Sequence, residues 1–93
     1  MFYLVCFDIV DDRKRYRVVK ALKGFGVRVQ KSVFECPSLT DEKLVKLRHR
    51  IDDIIDHSED SVRFYPACRK CVAGVEYSGI GDPPVKQSFT VVI

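Results

Sequence analysis

The chain has 93 residues, which suits one small domain, and 46% of these residues are hydrophobic. That share is typical of a folded globular protein and excludes a disordered chain. No stretch approaches the roughly 20 consecutive apolar residues of a membrane-spanning helix. No basic segment followed by an apolar one opens the sequence, as it would in a secretory signal. We therefore expect a cytoplasmic protein with no membrane segment.

The formal net charge of +3 hides an uneven distribution of charge. Residues 13–31 contain eight basic residues and no acidic residue. The rest of the chain holds eight basic and thirteen acidic residues, so its net charge is −5. A concentrated basic segment is typical of proteins that bind nucleic-acid phosphates, but a solvated helix face has the same composition.

The first predicted strand covers residues 2–9, an apolar run that contains the single carboxylate of Asp8 near its end. The β-branched and aromatic residues of this run indicate a buried strand. A carboxylate at the end of such a strand costs desolvation energy unless it is exposed, paired or bound to a metal. Asp8 is therefore the first candidate for a functional residue.

A helix over about 12–24 is predicted next, with Asp11 and Asp12 available as N-cap and first-turn acid. On a wheel of about 100° per residue, three cations share one stripe of this helix: Arg13, Arg17 and Lys20. Arg15 falls nearer the apolar side, in the first turns, where it can lean over the tip of the first strand.

The remaining elements follow from alternation, apolar spacing and turn residues. In chain order they are a strand over 27–36, a helix from Thr40 as N-cap to about Asp56, strands over 61–67 and 71–77 joined in a hairpin, a loop over 78–87 and a strand over 88–93.

This order predicts an α+β fold, a ferredoxin-like βαββαβ domain over residues 1–77 whose antiparallel sheet carries both helices on one face. Residues 78–93 would be a linker and a C-terminal dimerisation strand that pairs with the partner chain. Two helices on one face leave the other face bare, and we expect that they cannot cover all of Val5, Cys6, Phe7, Phe34 and Phe64. We therefore expect a homodimer in which the bare face meets a second copy.

Cys68 and Cys71 have the CxxC spacing. A structural zinc site needs two further ligands, and Cys6 and Cys36 are far away in the sequence. A redox CxxC normally opens a helix after a strand, whereas this pair is predicted between two strands. We therefore interpret the two residues as structural thiols; the other interpretation is a metal-carrying domain.

Three segments together resemble a known family: YLVCFDI at residues 3–9, DDRKRYR at 11–17 and GVRVQKSVFE at 26–35. The chain is similar over nearly its whole length to the small CRISPR-associated nuclease counted as the second Cas protein, which works with the Cas integrase in capturing spacers. The resemblance implies a ferredoxin-like homodimer whose C-terminal strands pair with the partner's sheet. It also implies a divalent-metal-dependent endonuclease acting on RNA or double-stranded DNA, or a non-cleaving bridge in the integration complex.

Carried onto this chain, the family's strand-end acid falls on Asp8, and its aromatic neighbour falls on Phe7, where many members have Tyr. The basic positions implied by the resemblance are Arg15, Arg17 and Arg28, and the aromatic of the second strand is Phe34. With the cations of residues 13–31, the predicted nucleic-acid-binding set is Arg13, Arg15, Arg17, Lys20, Arg28, Lys31 and Phe34, with Phe34 either stacking on a base or packing in the core.

Asp8 is expected to be both the catalytic and the metal-binding residue. Mg²⁺ (or Mn²⁺) takes an oxygen shell and is often held by one or two carboxylates together with water and phosphate oxygens. Two Asp8 side chains that face each other across a dimer axis would meet that need. The alternatives are that Asp8 caps the first helix or pairs with Arg15, with no metal.

Overall fold

The computed structural model of the protein describes residues 1–81. Its elements are strand β1 (Phe2–Asp8), helix α1 (Asp12–Lys23), strands β2 (Val27–Gln30) and β3 (Val33–Cys36), helix α2 (Asp41–Asp52), strand β4 (Ser61–Ala67) and helix α3 (Arg69–Ala73). The four strands form one antiparallel sheet in the order β2-β3-β1-β4. This is the ferredoxin-like arrangement, and the predicted fold class is confirmed. The predicted strand over 88–93, and most of the predicted linker, lie outside the described residues.

Both long helices begin at the residues that the sequence indicates. The Asp11 carboxylate accepts a hydrogen bond from the Lys14 amide at 2.9 Å, and the Thr40 hydroxyl accepts one from the Lys43 amide at 3.2 Å. Such caps satisfy amide groups that have no partner within the helix. None of the described helices is long and apolar enough to cross a membrane.

Helix α2 ends at Asp52, whereas the sequence predicted an end near Asp56. The amide of Asp56 donates to the Asp60 carboxylate at 2.8 Å instead of continuing the helix. The Asp56 carboxylate in turn accepts from the amide of Ser58 at 2.9 Å. These side-chain bonds replace helical bonds and form a turn before β4.

The core lies between the helices and one face of the sheet. On the sheet side it contains Val5 and Phe7 of β1 and Phe34 and Cys36 of β3, with Phe64 of β4 partly buried against them. The helices contribute the apolar residues Val18, Val19, Ala21, Leu22, Leu47 and Ile51. The two helices therefore do cover Val5, Phe7 and Phe34, whereas Phe64 is only partly buried and Cys6 lies on the opposite face.

The predicted strand over 27–36 is wrong in one respect, because it is two strands joined by a tight turn. Gln30 pairs with Val33, so only Lys31 and Ser32 form the connection, and the register shifts between Arg28 and Gln30. The turn contains neither Gly nor Asn, the usual signals of a two-residue hairpin. The polar residues of the turn also continue the alternation, which is why the sequence indicates one strand.

The predicted hairpin between 61–67 and 71–77 is also wrong. Residues after β4 turn into α3, and residues 74–77 have no regular structure. Cys68 therefore stands at the end of a strand and at the start of a helix, not between two strands.

Candidate functional site

Asp8 lies at the C-terminal end of β1 and is exposed. It pairs with Ser61, the first residue of β4, and the adjacent Phe7 amide donates to the carbonyl of Ser32 at 3.0 Å. The end of β1 thus sits between the start of β4 and the β2–β3 turn. Alternation places Asp8 on the face of the sheet opposite the helices, the face that also carries Leu4 and Cys6.

Two side chains hold the segment that follows Asp8. Arg15 donates from Nε and Nη2 to the carbonyl of Ile9, at 3.2 and 2.9 Å, and from Nη2 to the carbonyl of Val10 at 3.1 Å. The Asp60 carboxylate accepts from the Val10 amide at 2.9 Å. Hydrogen bonds from the amides of Val10 and then Asp56 lower the pKa of Asp60. The main chain beyond the β1 tip is therefore fixed by one cation and one anion.

The carboxylates near the end of β1 make structural hydrogen bonds or ion pairs, except for that of Asp8. Asp11 caps α1, Asp12 forms an ion pair with Arg15, and Asp60 binds two amides. For the Asp8 carboxylate, the structure shows no hydrogen bond or ion pair within residues 1–81. Both non-metal alternatives for Asp8 are wrong for this part of the chain, because Asp11 is the cap and Asp12 is the partner of Arg15.

A single chain supplies little more than this one carboxylate for a metal. Among residues 1–81, no three His, Cys, Asp or Glu side chains are grouped so that they could hold a metal ion. One carboxylate fits Mg²⁺ only if water, phosphate or a second chain supplies the other oxygens. The donor chemistry at Asp8 therefore suits Mg²⁺ as part of a shared site, and it does not form a closed site.

The predicted basic stripe is present on α1. Arg13, Arg17 and Lys20 are all exposed. Arg17 and Lys20 also line a cavity of about 350 Å³ with Arg50, Asp53 and Ile54 at the junction of α1 and α2. Arg50 therefore extends the stripe onto a second helix, although Asp53 brings a negative charge to the same place.

Two of the predicted phosphate-binding cations serve the backbone. Arg15 uses donors on all three of its guanidinium nitrogens, for Ile9, Val10 and Asp12. Arg28 donates from Nε and Nη2 to the carbonyl of Lys31, at 3.0 and 2.6 Å, and so closes the β2–β3 turn. The binding of nucleic acid by Arg15, by Arg28 and by the exposed Lys31 stays a prediction.

The assignment of Phe34 to base stacking is wrong. Its side chain is fully buried, and its ring centroid lies 6.3 Å from that of Phe7, which is also buried. A base could reach this ring only if the core opened. The side chain of Phe7 likewise faces the core, so the absence of a Tyr hydroxyl there leaves the exposed Asp8 surface unchanged.

Sequence reasoning missed two residues of this region. Asp60 is 50 positions from the Val10 amide that it binds, and no local pattern links them. Arg50 lies on α2, outside the basic segment of residues 13–31, and its proximity to Arg17 depends on helix packing. The one signal available for Asp60 was its place in a turn-rich segment just before a strand.

The fold and the site together define a small ferredoxin-like α+β protein with a cationic helix. At the end of its first strand is a carboxylate that makes no hydrogen bond or ion pair within residues 1–81. A sequence profile described as CRISPR associated protein Cas2 matches residues 1–75. The chain is 41% identical over 83 residues to a CRISPR-associated endoribonuclease Cas2 of Synechocystis sp., covering 89% of this chain and 87% of the relative. It is 44% identical over 92 residues to a CRISPR-associated endonuclease Cas2 of Thermus thermophilus, covering 97% and 94%.

A solved structure agrees with these similarities. A chain in a partial Cas6-RT-Cas1–Cas2 complex superposes with a TM-score of 0.75 at 30% identity, covering 99% of this chain and 98% of that one. The protein belongs to the Cas2 family of CRISPR-associated proteins. The family resemblance inferred from the sequence is thereby confirmed.

Proposed function

We propose that the protein acts in spacer acquisition as a metal-dependent endonuclease that hydrolyses phosphodiester bonds of single-stranded RNA or double-stranded DNA. In this proposal Asp8 from each chain of a homodimer holds Mg²⁺ or Mn²⁺. The observation that carries it is the exposed Asp8 carboxylate, which makes no hydrogen bond or ion pair within the described residues, whereas Asp11, Asp12 and Asp60 each have a partner. The nuclease names of the relatives from Synechocystis and Thermus support the reaction class.

The sheet face opposite the helices supports the homodimer. Leu4, Cys6 and Val33 line it and are only half-buried, and Val27 and Val29 of β2 are 49% and 42% exposed. Burial of such apolar side chains against a second copy would be favourable, at about 25 cal/mol per Å² of apolar surface. A two-fold axis near this face would bring two Asp8 side chains towards each other, since Asp8 lies on the same face.

Each residue has a defined part in the proposed reaction. A divalent ion at Asp8 would supply polarisation of the phosphate and a lower pKa for the attacking water. Arg17 and Lys20, with Arg13, would bind the phosphate backbone and set its position. Arg15 and Asp60 would keep the main chain beyond Asp8 in place, which limits the motion of the carboxylate.

The proposal is tested by cleavage of RNA and duplex DNA with added Mg²⁺, comparing wild type with Asp8→Ala. Loss of a group that stabilises the transition state should lower the rate at least about a hundredfold. The matched control is Glu42→Ala, an exposed first-turn acid of α2, which should cleave at the wild-type rate. Equal rates for wild type and Asp8→Ala would show that the activity belongs to a contaminant or another site.

The geometry also supports a second function, a non-cleaving DNA-binding bridge that works with the Cas integrase. The exposed cations of α1 meet Arg50 of α2 on one surface, and this surface does not depend on Asp8. Similarity to the chain in the partial Cas6-RT-Cas1–Cas2 complex supports this alternative. It predicts that Asp8→Ala retains DNA binding and integration.

Neutralisation of the basic stripe tests the binding of nucleic acid that both functions require. Arg13, Arg17 and Lys20 changed together to Gln should weaken duplex binding and lower the steepness of its salt dependence. Each lost phosphate contact should remove about 0.9 from the slope of log K against log salt. The matched control changes three other exposed cations to Gln: Lys23, Lys43 and Arg48. If the control lost as much affinity, binding would depend on total charge, not on this stripe.

A further inference from the structure

The CxxC pair occupies a position that neither proposed function uses. Cys68 directly follows β4 and is the N-cap of α3, with extended backbone at φ −75° and ψ 168°. Cys71 lies inside α3, and its Sγ is hydrogen-bonded to Sγ of Cys68 at 3.4 Å. Both thiols are exposed. Two exposed thiols at this spacing and distance can close an intramolecular disulfide and are accessible to a small disulfide.

The other two cysteines provide an internal contrast. Cys36 is fully buried, and burial raises the pKa of its thiol to about 11. Cys6 is half-buried on the sheet face opposite the helices. Reactivity of a thiol follows access and the fraction of thiolate, so Cys36 is expected to be inert while the protein is folded.

We propose that Cys68 and Cys71 form a thiol–disulfide exchange site, in which Cys68 attacks a low-molecular-weight disulfide and Cys71 then closes an intramolecular disulfide. The first step forms a bond between Cys68 and one sulfur of the small disulfide, and the other half leaves as a thiolate. In the second step the Cys71 thiolate displaces the remaining half from Cys68. The protein dithiol is oxidised by two electrons, the small disulfide is reduced to two thiols, and the two thiol protons pass to solvent or to the leaving thiolates.

The surroundings of the two sulfurs assign the order of attack. The backbone amide of Cys71 and then the Cys71 thiol lower the pKa of Cys68. The hydrogen bond to Cys68 raises the pKa of Cys71. Cys68 therefore has more thiolate at neutral pH and is the attacking residue, and Cys71 is the resolving one.

A disulfide at this site would affect the position of the residues that follow α3. Helix α3 leads directly into residues 74–81. Val75, Tyr77 and Ile80 of this segment line a groove of about 640 Å³ together with Leu4 and Cys6, which lie on the sheet face opposite the helices. A disulfide would fix the first turn of α3 and so the direction in which this segment leaves β4. Oxidation would therefore restrict how residues 74–81 lie over that face.

The test uses the full chain incubated with oxidised glutathione at neutral pH, quenched with acid and digested with trypsin without reduction. Trypsin cleaves after Arg63, Arg69, Lys70 and Lys86, so Cys68 and Cys71 fall on separate peptides. The expected product is peptide 64–69 linked to peptide 71–86 by a disulfide. Linkage of either peptide mainly to Cys6, to Cys36 or to a second copy of itself would overturn the proposal.

Two single variants test the roles of the two thiols. Cys71→Ser should accumulate glutathione on Cys68, because no resolving thiol remains. Cys68→Ser should take up glutathione on Cys71 more slowly, by about threefold for each unit by which the pKa of Cys71 in this variant exceeds that of Cys68 in Cys71→Ser. Equal rates in the two variants would overturn the assignment of Cys68 as the attacking residue. Because both assays measure thiol chemistry alone, their outcome does not depend on whether the protein is a nuclease.

Discussion

Arg15 donates two hydrogen bonds to the main-chain carbonyl of Ile9, from Nε at 3.2 Å and from Nη2 at 2.9 Å. Ile9 is buried, and it directly follows the exposed Asp8. The same guanidinium also contacts the carbonyl of Val10 and the carboxylate of Asp12. Arg15, which the sequence assigned to nucleic-acid binding, therefore stabilises the main chain next to Asp8, the candidate catalytic acid.

Replacement of Arg15 should reveal this structural part. Arg15→Ala removes charge-assisted hydrogen bonds from partly buried carbonyls, and we expect the free energy of unfolding to fall by about 1–2 kcal/mol. Urea denaturation followed by circular dichroism measures the change. Arg13→Ala, at an exposed position on the same helix, should stay within about 0.5 kcal/mol of wild type. Unchanged stability with weaker duplex binding would instead assign Arg15 to phosphate contacts.

Asp60 should make stability depend on pH in the acid range. Its pKa is lowered in the folded state by the amides of Val10 and Asp56, so its contribution is present above the unfolded pKa of about 3.9 and is lost as pH falls through the lower folded value. We expect the urea midpoint of wild type to fall as pH drops below about 4. Asp60→Asn should lower the midpoint at pH 7 and flatten this fall. A parallel pair of curves would contradict the assigned role.

The buried position of Phe34 predicts a separation of stability from binding. Phe34→Ala should cost about 3–5 kcal/mol of unfolding free energy because it leaves a cavity in the core. Phe34→Leu should cost less and leave the protein folded, so it is the variant for binding measurements. We expect its affinity for RNA and duplex DNA to match wild type in a filter-binding or anisotropy assay. A marked loss of affinity in the folded Leu variant would restore the base-stacking role.

Gly26 and Gly24 form a matched pair for a test of packing at the start of β2. A Cβ at Gly26 would lie 2.7 Å from Sγ and 2.9 Å from Cα of Cys36, which is closer than real Cβ contacts. Gly26→Ala should therefore lower the unfolding free energy by about 1–3 kcal/mol, as overpacking does. At Gly24 the nearest atom is a carbonyl oxygen at 3.5 Å, and its φ of −75° suits any residue. Gly24→Ala should be neutral or stabilising by up to about 1 kcal/mol, and equal effects of the two changes would refute this packing.

Local features of the structure were predictable because their interactions span only a few residues. The first strand is an apolar run that needs no partner to be recognised, and the Asp11 and Thr40 caps act on amides three positions away. Likewise, Asp8 stood out through its own neighbours, because a lone acid near the end of an apolar strand is unusual wherever the strand is placed.

The sequence by itself determined the element types of β1, α1, α2 and β4, the fold class, the candidate acid and the cationic stripe. Tertiary structure decided that residues 27–36 form two strands, because pairing with β1 and closure of the turn by Arg28 outweigh an uninterrupted alternation. It also decided that Cys68 opens a helix, that Arg15 and Asp60 brace the residues after Asp8, and that Arg50 joins Arg17. These outcomes depend on contacts between distant segments, whose free energy is gained only when the whole sheet and both helices have packed. Asp8 can thus be recognised from the sequence. Only the fold shows that Asp11, Asp12 and Asp60 have partners, which distinguishes Asp8 from them.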